Sequence, residues 1–463
     1  MAKEKHPRGL ISLFFTEMWE RFGFYTMMAV FVLYMTKTLG WDTVRAGWVY
    51  GLFNGAVYIL TIGGGAIADR WLGQARTIKL GGLLMALGHA LFWYSAPDRI
   101  WPFYAGLVSI GFGSGLLKAN ISVLVGNLYK KGSALKDTGF NIFYMGINIG
   151  AFVAPLTATG LNFLADSMGT KEMVDGVEVI TPAFNSYNAS FGIAAIGMLI
   201  GLVIFQLTRK TYESADVINK LKAKEQDDYK HEKPIDPTEQ DQIPSAPEEV
   251  MDSSEFWQRI AALGALFLIS VCFWAVFYQN GSSLTLFAEN CTDLGSWLKA
   301  ETFQTFNPLF IVILTPVLLG FFRLLEKQGR DLNVATKICL GCIMAGLSPL
   351  LMVFACLKGG NDDLPIMSPW WLVGTYFLFT IAEILFSPMG LSFVSKVAPP
   401  RIRGMMMGFW FGSVGVGAQL SGIFAAFWDK WAHHNFFIVM TCLLFFSAFL
   451  VLIFMRLLKK FAK

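Results

Sequence analysis

Ionisable residues occur in the middle of long apolar segments, where a charge is expensive to bury. The segment FFTEMWERFGFY contains Glu17, Glu20 and Arg21 within about one helical turn. Residues three and four apart share a helix face, so two carboxylates would lie beside one guanidinium. Two close carboxylates do not both ionise easily, and the arginine tunes which one does. The spacing predicts a group that holds and releases a proton; a static ion network that locks helices together is the alternative.

Two further charges lie deep in apolar segments. Lys118 occurs in GFGSGLLKANISVLV and Glu383 occurs in FTIAEILFSPMG. A charge at such a depth needs a counter-charge or a ligand, because a lone charge in hydrocarbon is costly. If the two residues face each other across a cavity, they form one positive and one negative wall. A substrate with one carboxylate and one ammonium group would suit that arrangement.

The segments that carry these residues are typical of membrane-spanning helices. Hydrophobic residues make up 54% of the 463 residues and charged residues 15%, whereas soluble domains carry about a quarter charged residues. Runs of about 20 apolar residues are candidate spans, and only helices or closed barrels cross lipid. The runs are too long and continuous for barrel strands, so we predict an all-α membrane protein. The net charge of +4 reflects loops rather than a basic patch, so no nucleic-acid partner is expected.

The apolar runs predict about twelve spans in two groups of six. The spans lie near 10–36, 45–67, 77–96, 100–122, 138–163, 188–208, 257–280, 306–325, 334–356, 369–392, 404–427 and 434–457. The polar segment 209–256 contains prolines and mixed charges, which predict a flexible linker. It divides the chain into 1–208 and 257–463. This pattern is that of the major facilitator fold, with two six-helix bundles around a central cavity.

Lysine and arginine are concentrated in the loops on one side of the predicted spans. Arg70, Arg76, Lys131, Arg401 and Lys459 all belong to that side. Because positive residues are retained in the cytoplasm, we expect both termini to be cytoplasmic and the chain to lie in the lipid bilayer of a bacterial inner membrane. No apolar stretch ends in a small-residue cleavage site, so no removable signal peptide is expected.

The loop after the second span, GGGAIADRWLGQARTI, contains a complete motif. Gly65, Asp69, Arg70, Gly73 and Arg76 match the G-x-x-x-D-R-x-x-G-x-x-R loop of major facilitators. The glycines would allow close helix contact. Asp69 would cap a helix of the next bundle or pair with an arginine and so hold an inner gate shut. The alternative is a basic loop that only sets topology.

Cysteine and histidine show no spacing typical of a metal site or an enzyme. Cys339 and Cys342 form a C-x-x-C inside an apolar run, where packing is the expected role. The histidines, at positions 6, 89, 231, 433 and 434, form no ligand spacing with Cys or Asp. We therefore expect no metal, no cofactor and no enzymatic activity.

Long motifs in this chain resemble those of the proton-dependent oligopeptide transporters. EMWERFGFY in the first span resembles the family's E-x-x-E-R-F motif. GLLKANISVLVGNLY and FNIFYMGINIGAFVAP resemble its signature through spans four and five, and FWAVFYQNGSSL, FNPLFIVILTP and EILFSPMGL resemble its spans seven, eight and ten. The resemblance covers nearly the whole chain. It implies a proton-coupled symporter that imports di- and tripeptides or similar small molecules by alternating access.

The resemblance also implies roles for individual residues. Glu17, Glu20, Arg21 and Lys118 would couple transport to protons, and Lys118 would also bind the substrate carboxylate. Glu383 would face the amino terminus of the substrate. The expected cavity lining is Tyr25, Tyr58, Lys118 and Asn148 from the first half and Trp274, Tyr278, Asn307, Glu383 and Trp410 from the second. For the two tryptophans, packing or lipid contact is the alternative.

The sequence departs from the family pattern in three places. Tyr278 stands where the family usually has a glutamate that pairs with the lysine of span four, and Met28 stands where a carboxylate-binding arginine is common. The segment 209–256 is too short and polar for the two extra helices typical of bacterial members.

The missing carboxylate leaves Lys118 without an obvious partner on span seven. We expect Lys118 to pair in turn with a span-one glutamate and with the substrate carboxylate; a neutral lysine in the empty protein is the third possibility. Tyr278 offers only a neutral hydroxyl, so the outer gate is expected to close less firmly than in relatives. For function, the alternatives are a different cargo (a nucleoside, a modified peptide or an organic anion) and a sensor that does not transport.

Overall fold

The computed structural model describes residues 5–129, 135–174, 177–216, 253–330, 332–399 and 402–455. These residues contain twelve long helices, and each coincides with a predicted span. Nine helical stretches in the described ranges are long and apolar enough to cross a membrane. The helices, α1 to α12, are Gly9–Leu33, Thr43–Ile67, Gln74–Tyr94, Trp101–Asn127, Leu135–Ser167, Ser186–Leu207, Ser253–Phe277, Phe306–Lys327, Val334–Ala355, Trp370–Val397, Arg403–Ala425 and His433–Ile453.

Short polar residues set the start of several helices. The side chain of Asp42 accepts a hydrogen bond from the backbone N–H of Arg45 at 2.7 Å, at the start of α2. Asn185 does the same for the first turn of α6 and Asn333 for that of α9. Such caps satisfy backbone donors that have no partner inside the helix. They therefore fix where each chain segment enters the bundle.

The first six helices form one bundle and the last six form the other, which confirms the predicted major facilitator fold. We call the end of the molecule where α1 begins the terminal face. The opposite end is the hairpin face, because it carries an antiparallel β-hairpin, β1 Thr170–Val174 and β2 Val177–Thr181. The hairpin was not predicted, nor was the short helix Ser283–Cys291 that continues α7 beyond a 3₁₀ turn.

Part of the sequence-based prediction lies outside the described residues. The centre of the predicted linker, 217–252, lies outside the described ranges, and so do Lys131, Arg401 and Lys459. The flexible linker and the exact boundaries of the two domains therefore stay predictions.

Helices α2 and α11 cross at very short range where the two bundles meet. A Cβ atom added at Gly51 would lie 2.9 Å from both the carbonyl oxygen of Gln419 and the Cα of Gly422. Only a residue without a side chain fits there. Because this crossing lies in the half of the molecule nearer the hairpin face, it draws the bundles together on that side.

Polar side chains reinforce the closure of the hairpin face. Ion pairs and hydrogen bonds join loops and helix ends of the first bundle to those of the second. They are Lys37–Glu289, Thr43–Asp429, Lys299 Nζ–Asp166 Oδ2 at 2.6 Å, Asn162 Nδ2–Glu301 Oε1 at 3.2 Å and Thr159 Oγ1–Thr302 Oγ1 at 2.9 Å. The more exposed pairs, such as Lys37–Glu289, are each worth about 0–1 kcal/mol, whereas Glu301 and Thr159 are buried.

The contact between Thr43 and Asp429 provides a test of whether this face must open. In a variant with cysteine at both positions, a short and reducible thiol cross-linker should stop uptake of the substrate into proteoliposomes, because the bundles can no longer separate there. Reduction should restore uptake. Each single-cysteine variant, treated in the same way, is the control. Unimpaired uptake by the cross-linked protein would show that the hairpin face does not need to open.

Candidate functional site

A cavity of about 400 Å³ lies between the two bundles. Its volume is within the range of small-molecule binding sites, about 300–1,000 Å³. Both bundles contribute walls, from α1, α2, α4 and α5 on one side and α7, α8, α10 and α11 on the other. All nine residues that the sequence predicted for substrate binding line it: Tyr25, Tyr58, Lys118, Asn148, Trp274, Tyr278, Asn307, Glu383 and Trp410.

Exposure along the cavity walls shows which way the cavity opens. Near the hairpin face, Tyr50 is only 1% exposed and Asn54 is 4% exposed. Nearer the terminal face, Tyr144 is 48% exposed and Ser122 is also exposed. The cavity therefore opens toward the terminal face and is closed toward the hairpin face.

The span-one cluster has the geometry that its spacing predicted. Arg21 Nε lies 2.9 Å from Glu17 Oε1 and 2.5 Å from Glu20 Oε2, and all three side chains are at most 5% exposed. Glu17 and Arg21 line the cavity, whereas Glu20 is covered by protein. One guanidinium cannot neutralise two ionised carboxylates, and an unbalanced buried charge is costly. The cluster is therefore suited to hold one proton.

Several buried polar atoms of this cluster make no hydrogen bond to any described residue. Within the described part of the chain, Glu17 Oε2, Glu20 Oε1 and Arg21 Nη2 have no hydrogen-bond partner. Buried polar groups are nearly always paired, so spare donors and acceptors beside a cavity mark a place where a proton or a ligand changes the bonding.

Lys118 contacts an aromatic ring instead of a carboxylate. Its Nζ lies 4.3 Å from the centre of the Tyr58 ring. The Tyr58 hydroxyl is 2.6 Å from the hydroxyl of Tyr278, across the boundary between the bundles. Among the described residues, no carboxylate oxygen lies within 4 Å of Lys118 Nζ. In this conformation both span-one glutamates pair with Arg21, and Lys118 lies over the ring of Tyr58 instead of pairing with one of them.

The tyrosine pair links the bundles where the family usually has an ion pair. A cation–π contact is worth about 0.5–2 kcal/mol and a neutral hydrogen bond about 0.5–1.5 kcal/mol. Tyr50 adds a third contact, since its hydroxyl donates to the backbone oxygen of Tyr278 at 3.2 Å. Lys118, Tyr58 and Tyr278 thus form a continuous chain from α4 to the end of α7.

Glu383 occupies the opposite wall and is oriented by a neighbouring amide. Asn307 Nδ2 donates to Glu383 Oε2 at 2.9 Å and lies 3.2 Å from Thr380 Oγ1. This places one fixed carboxylate in the second bundle, while Lys118 supplies an ammonium group in the first. The cavity therefore has a carboxyl group on one wall and an amine on the other, which is the placement that the sequence predicted.

The two tryptophans differ in what they can offer a ligand. Trp274 Nε1 has no hydrogen-bond partner in the described residues, although it belongs to a cavity-lining side chain. The nitrogen itself is buried, so its N–H can reach a bound molecule only if the indole ring moves. Trp410 stacks on Phe386 with ring centres 6.1 Å apart and is 3% exposed, so packing accounts for much of its surface.

The predicted gate residues lie on the terminal face, away from the cavity. Asp69 is exposed and accepts a hydrogen bond of 3.4 Å from Gln74 within its own loop, and Arg70 and Arg76 are also outside the cavity lining. The expected close contact at the motif glycines is wrong here. A Cβ at Gly65 would meet nothing within 4 Å, and Gly73 is needed because its φ is 75°. The gating role of these residues stays a prediction.

Several lining residues were missed by the sequence analysis. Each is polar and lies four residues from a predicted one, so the two share a helix face. The pairs of missed and predicted residues are Asn54 and Tyr58, Ser122 and Lys118, Tyr144 and Asn148, and Ser387 and Glu383. Helical spacing around each predicted residue would have found them.

Comparison with known proteins agrees with this geometry. The POT family model matches residues 75–226 and 219–440. An uncharacterized transporter of Bacillus subtilis, YclF, is 34% identical over 461 residues, which cover 90% of this chain and 88% of that protein. A di-/tripeptide transporter of Lactococcus lactis is 32% identical, covering 91% of this chain and 90% of that protein.

A solved structure shows the same architecture. The crystal structure of a mutant of the peptide transporter POT, in complex with sulfate, superposes with a TM-score of 0.81 at 29% identity and covers 99% of this chain and 96% of that one. The twelve-helix fold, the charged cavity and the long sequence matches lead to one assignment: this chain belongs to the POT family of transporters.

Proposed function

We propose that the protein is a proton-coupled symporter that imports di- and tripeptides, or small molecules with the same charges, by alternating access. The observation that carries the proposal is a cavity between two bundles, with Lys118 on one wall and Glu383 on the other. The name of the Lactococcus relative, a di-/tripeptide transporter, supports this choice of cargo.

The charges of the cavity suit a free peptide. The peptide carboxylate would bind Lys118, whose Nζ lies over the ring of Tyr58 and pairs with no carboxylate of the described residues. The peptide ammonium would bind Glu383, which Asn307 holds in place. Both ends of the peptide would then be neutralised as they leave water, which limits the cost of removing them from solvent.

Proton coupling would be carried by the span-one cluster. With a proton on one carboxyl, Arg21 balances the other carboxylate, and the cluster is neutral. When the proton leaves, one carboxylate needs a new positive partner, and Lys118 is the charged group on the neighbouring wall. The substrate carboxylate would compete for the same lysine. Proton and peptide are thereby linked through one local charge balance.

We place the terminal face in the cytoplasm and the protein in a bacterial inner membrane, with both termini inside. The uneven distribution of lysine and arginine supports this orientation. The structure then corresponds to the inward-open state, and import requires the hairpin face to separate while the terminal face closes. A carrier of this kind needs peptide, protons and lipid, and no enzymatic step. A different cargo and a non-transporting sensor are not favoured by the named relatives.

The test of cargo is uptake of a labelled dipeptide into proteoliposomes under an inward proton gradient. Free dipeptides should accumulate, and N-acetylated dipeptides should not, because they lack the ammonium group for Glu383. Glu383→Ala should weaken the binding of free dipeptides by about 3–5 kcal/mol, the effect of leaving a buried charge unpaired. Glu383→Gln keeps the size of the side chain and is the matched control for loss of charge alone. Equal binding of free and N-acetylated peptides by the native protein would rule out this role of Glu383.

Glu20→Gln tests the proton site. Uptake driven by the gradient should be abolished, because the neutral amide cannot take up or release a proton. Exchange of labelled for unlabelled peptide, with no gradient, should continue, since binding and movement of the bundles remain possible. Glu172→Gln, at an exposed position on the β-hairpin, is the control and should leave both activities unchanged. Loss of exchange together with uptake in Glu20→Gln would indicate a structural ion network.

Lys118 and Tyr278 test the coupling. Lys118→Ala should abolish uptake, because both the proton and the peptide act through this charge. Tyr278→Glu should be tolerated, since it supplies the carboxylate that relatives have beside this lysine. Tyr278→Phe removes only the hydroxyl that contacts Tyr58 and keeps the aromatic ring, so it is the matched control for loss of the hydroxyl alone. Accumulation against a gradient by Lys118→Ala, with an inactive Tyr278→Glu, would exclude Lys118 as the coupling residue.

A further inference from the structure

Three side chains with metal-binding atoms meet at the hairpin face of the second bundle. They are Cys291 at the end of the short helix, Asp363 in the loop after α9, and His433 at the start of α12. One ligand atom from each lies within 4.8 Å of the other two. None of the three lines the central cavity. The cluster is thus separate from the transport site.

The separations within the cluster are close to those of a metal site. Cys291 Sγ lies 3.6 Å from Asp363 Oδ1 and 3.8 Å from His433 Nδ1. His433 Nε2 lies 3.8 Å from the same carboxylate oxygen, slightly farther than in a metal-loaded site. Around a tetrahedral Zn²⁺, bonds of about 2.0–2.3 Å to O, N and S place neighbouring ligand atoms roughly 3.3–3.7 Å apart. The distance between the imidazole nitrogen and the carboxylate is too long for a hydrogen bond, although a shared cation would bridge it.

The imidazole of His433 is held in the form that binds a metal. Its Nδ1 lies 2.9 Å from the carbonyl oxygen of Gly360, which can only accept, so Nδ1 carries the proton. The lone pair is then on Nε2, on the side of Asp363. A hydrogen bond from the second ring nitrogen to a carbonyl is the usual support of a metal-binding histidine. The ring also stacks on Trp428, with centres 4.0 Å apart, and is buried.

We propose that Cys291, Asp363 and His433 form a binding site for a divalent transition-metal cation, best matched by Zn²⁺. A thiolate, an imidazole and a carboxylate are the donor types that Zn²⁺ takes in proteins. Asp363 is 58% exposed, so the fourth position is open to water. As the metal–sulfur bond forms, the thiol proton of Cys291 is released to solvent. The metal would tie the short helix, the loop after α9 and the start of α12 together.

Sequence spacing could not show this site. Cys291 lies 72 residues from Asp363 and 142 from His433, far from the short spacings of metal motifs. The sequence-based expectation of no metal is revised by this proposal. Only the packing of the second bundle brings the three side chains together.

The test uses the purified full-length protein with any affinity tag removed and bound metal stripped by a chelator. Zn²⁺ should bind with a stoichiometry of one per chain and raise the unfolding temperature. Co²⁺ should give a thiolate-to-metal charge-transfer band. Cys291→Ser should lose that band, and Asp363→Asn should keep it. Both variants should bind Zn²⁺ at least about tenfold more weakly, because removing a metal ligand lowers the metal affinity at least as much as removing a residue that only supports a ligand.

Matched neighbours provide the controls. Cys442→Ser removes an exposed thiol and Asp362→Asn removes the adjacent carboxylate; both should bind Zn²⁺ like the native protein. Because Asp363 is largely exposed, Asp363→Asn should fold even if Cys291→Ser does not. Zn²⁺ binding below one per chain in the native protein, or unchanged affinity in Asp363→Asn, would overturn the proposal.

Discussion

The structure depends on one constraint, that charges inside a membrane protein must be balanced. Glu17, Glu20 and Arg21 are nearly fully buried and share one positive charge between two carboxyl groups. A charge that is neither paired nor neutralised would be energetically costly at this depth. On the proposed mechanism, a carboxyl group that changes its protonation state would turn the same imbalance into a coupling device. The cavity beside the cluster would then give the proton and the substrate access to one charge balance.

Contacts between the two bundles keep the hairpin face closed. The close crossing of α2 and α11 at Gly51 holds the bundles together through backbone contact. The hydrogen bond between Tyr58 and Tyr278 joins the same bundles at the level of the cavity. Because Lys118 rests on the ring of Tyr58, the proposed change of partner of this lysine would be transmitted to the contact between the bundles. This link would need no ion pair between Lys118 and α7.

Polar pairs join the two bundles on the hairpin face. Lys299 and Asp166, together with Asn162 and Glu301, bridge α5 and the segment before α8. Together with the contacts of Tyr278, these pairs close one side of the cavity. The expectation that this gate closes less firmly than in relatives stays a prediction.

The sequence by itself determined the twelve spans, the two bundles and the charged residues of the cavity, because burial in lipid requires apolar helices and makes every internal charge conspicuous. The uncharged lining residues that it predicted came from the resemblance to the family. It also placed Glu17, Glu20 and Arg21 on one helix face, since local spacing sets that geometry. Only the tertiary structure decided contacts between distant segments. The ring of Tyr58 under Lys118 and the meeting of Cys291 with His433 both depend on how helices pack, and helix packing is not encoded in short-range spacing.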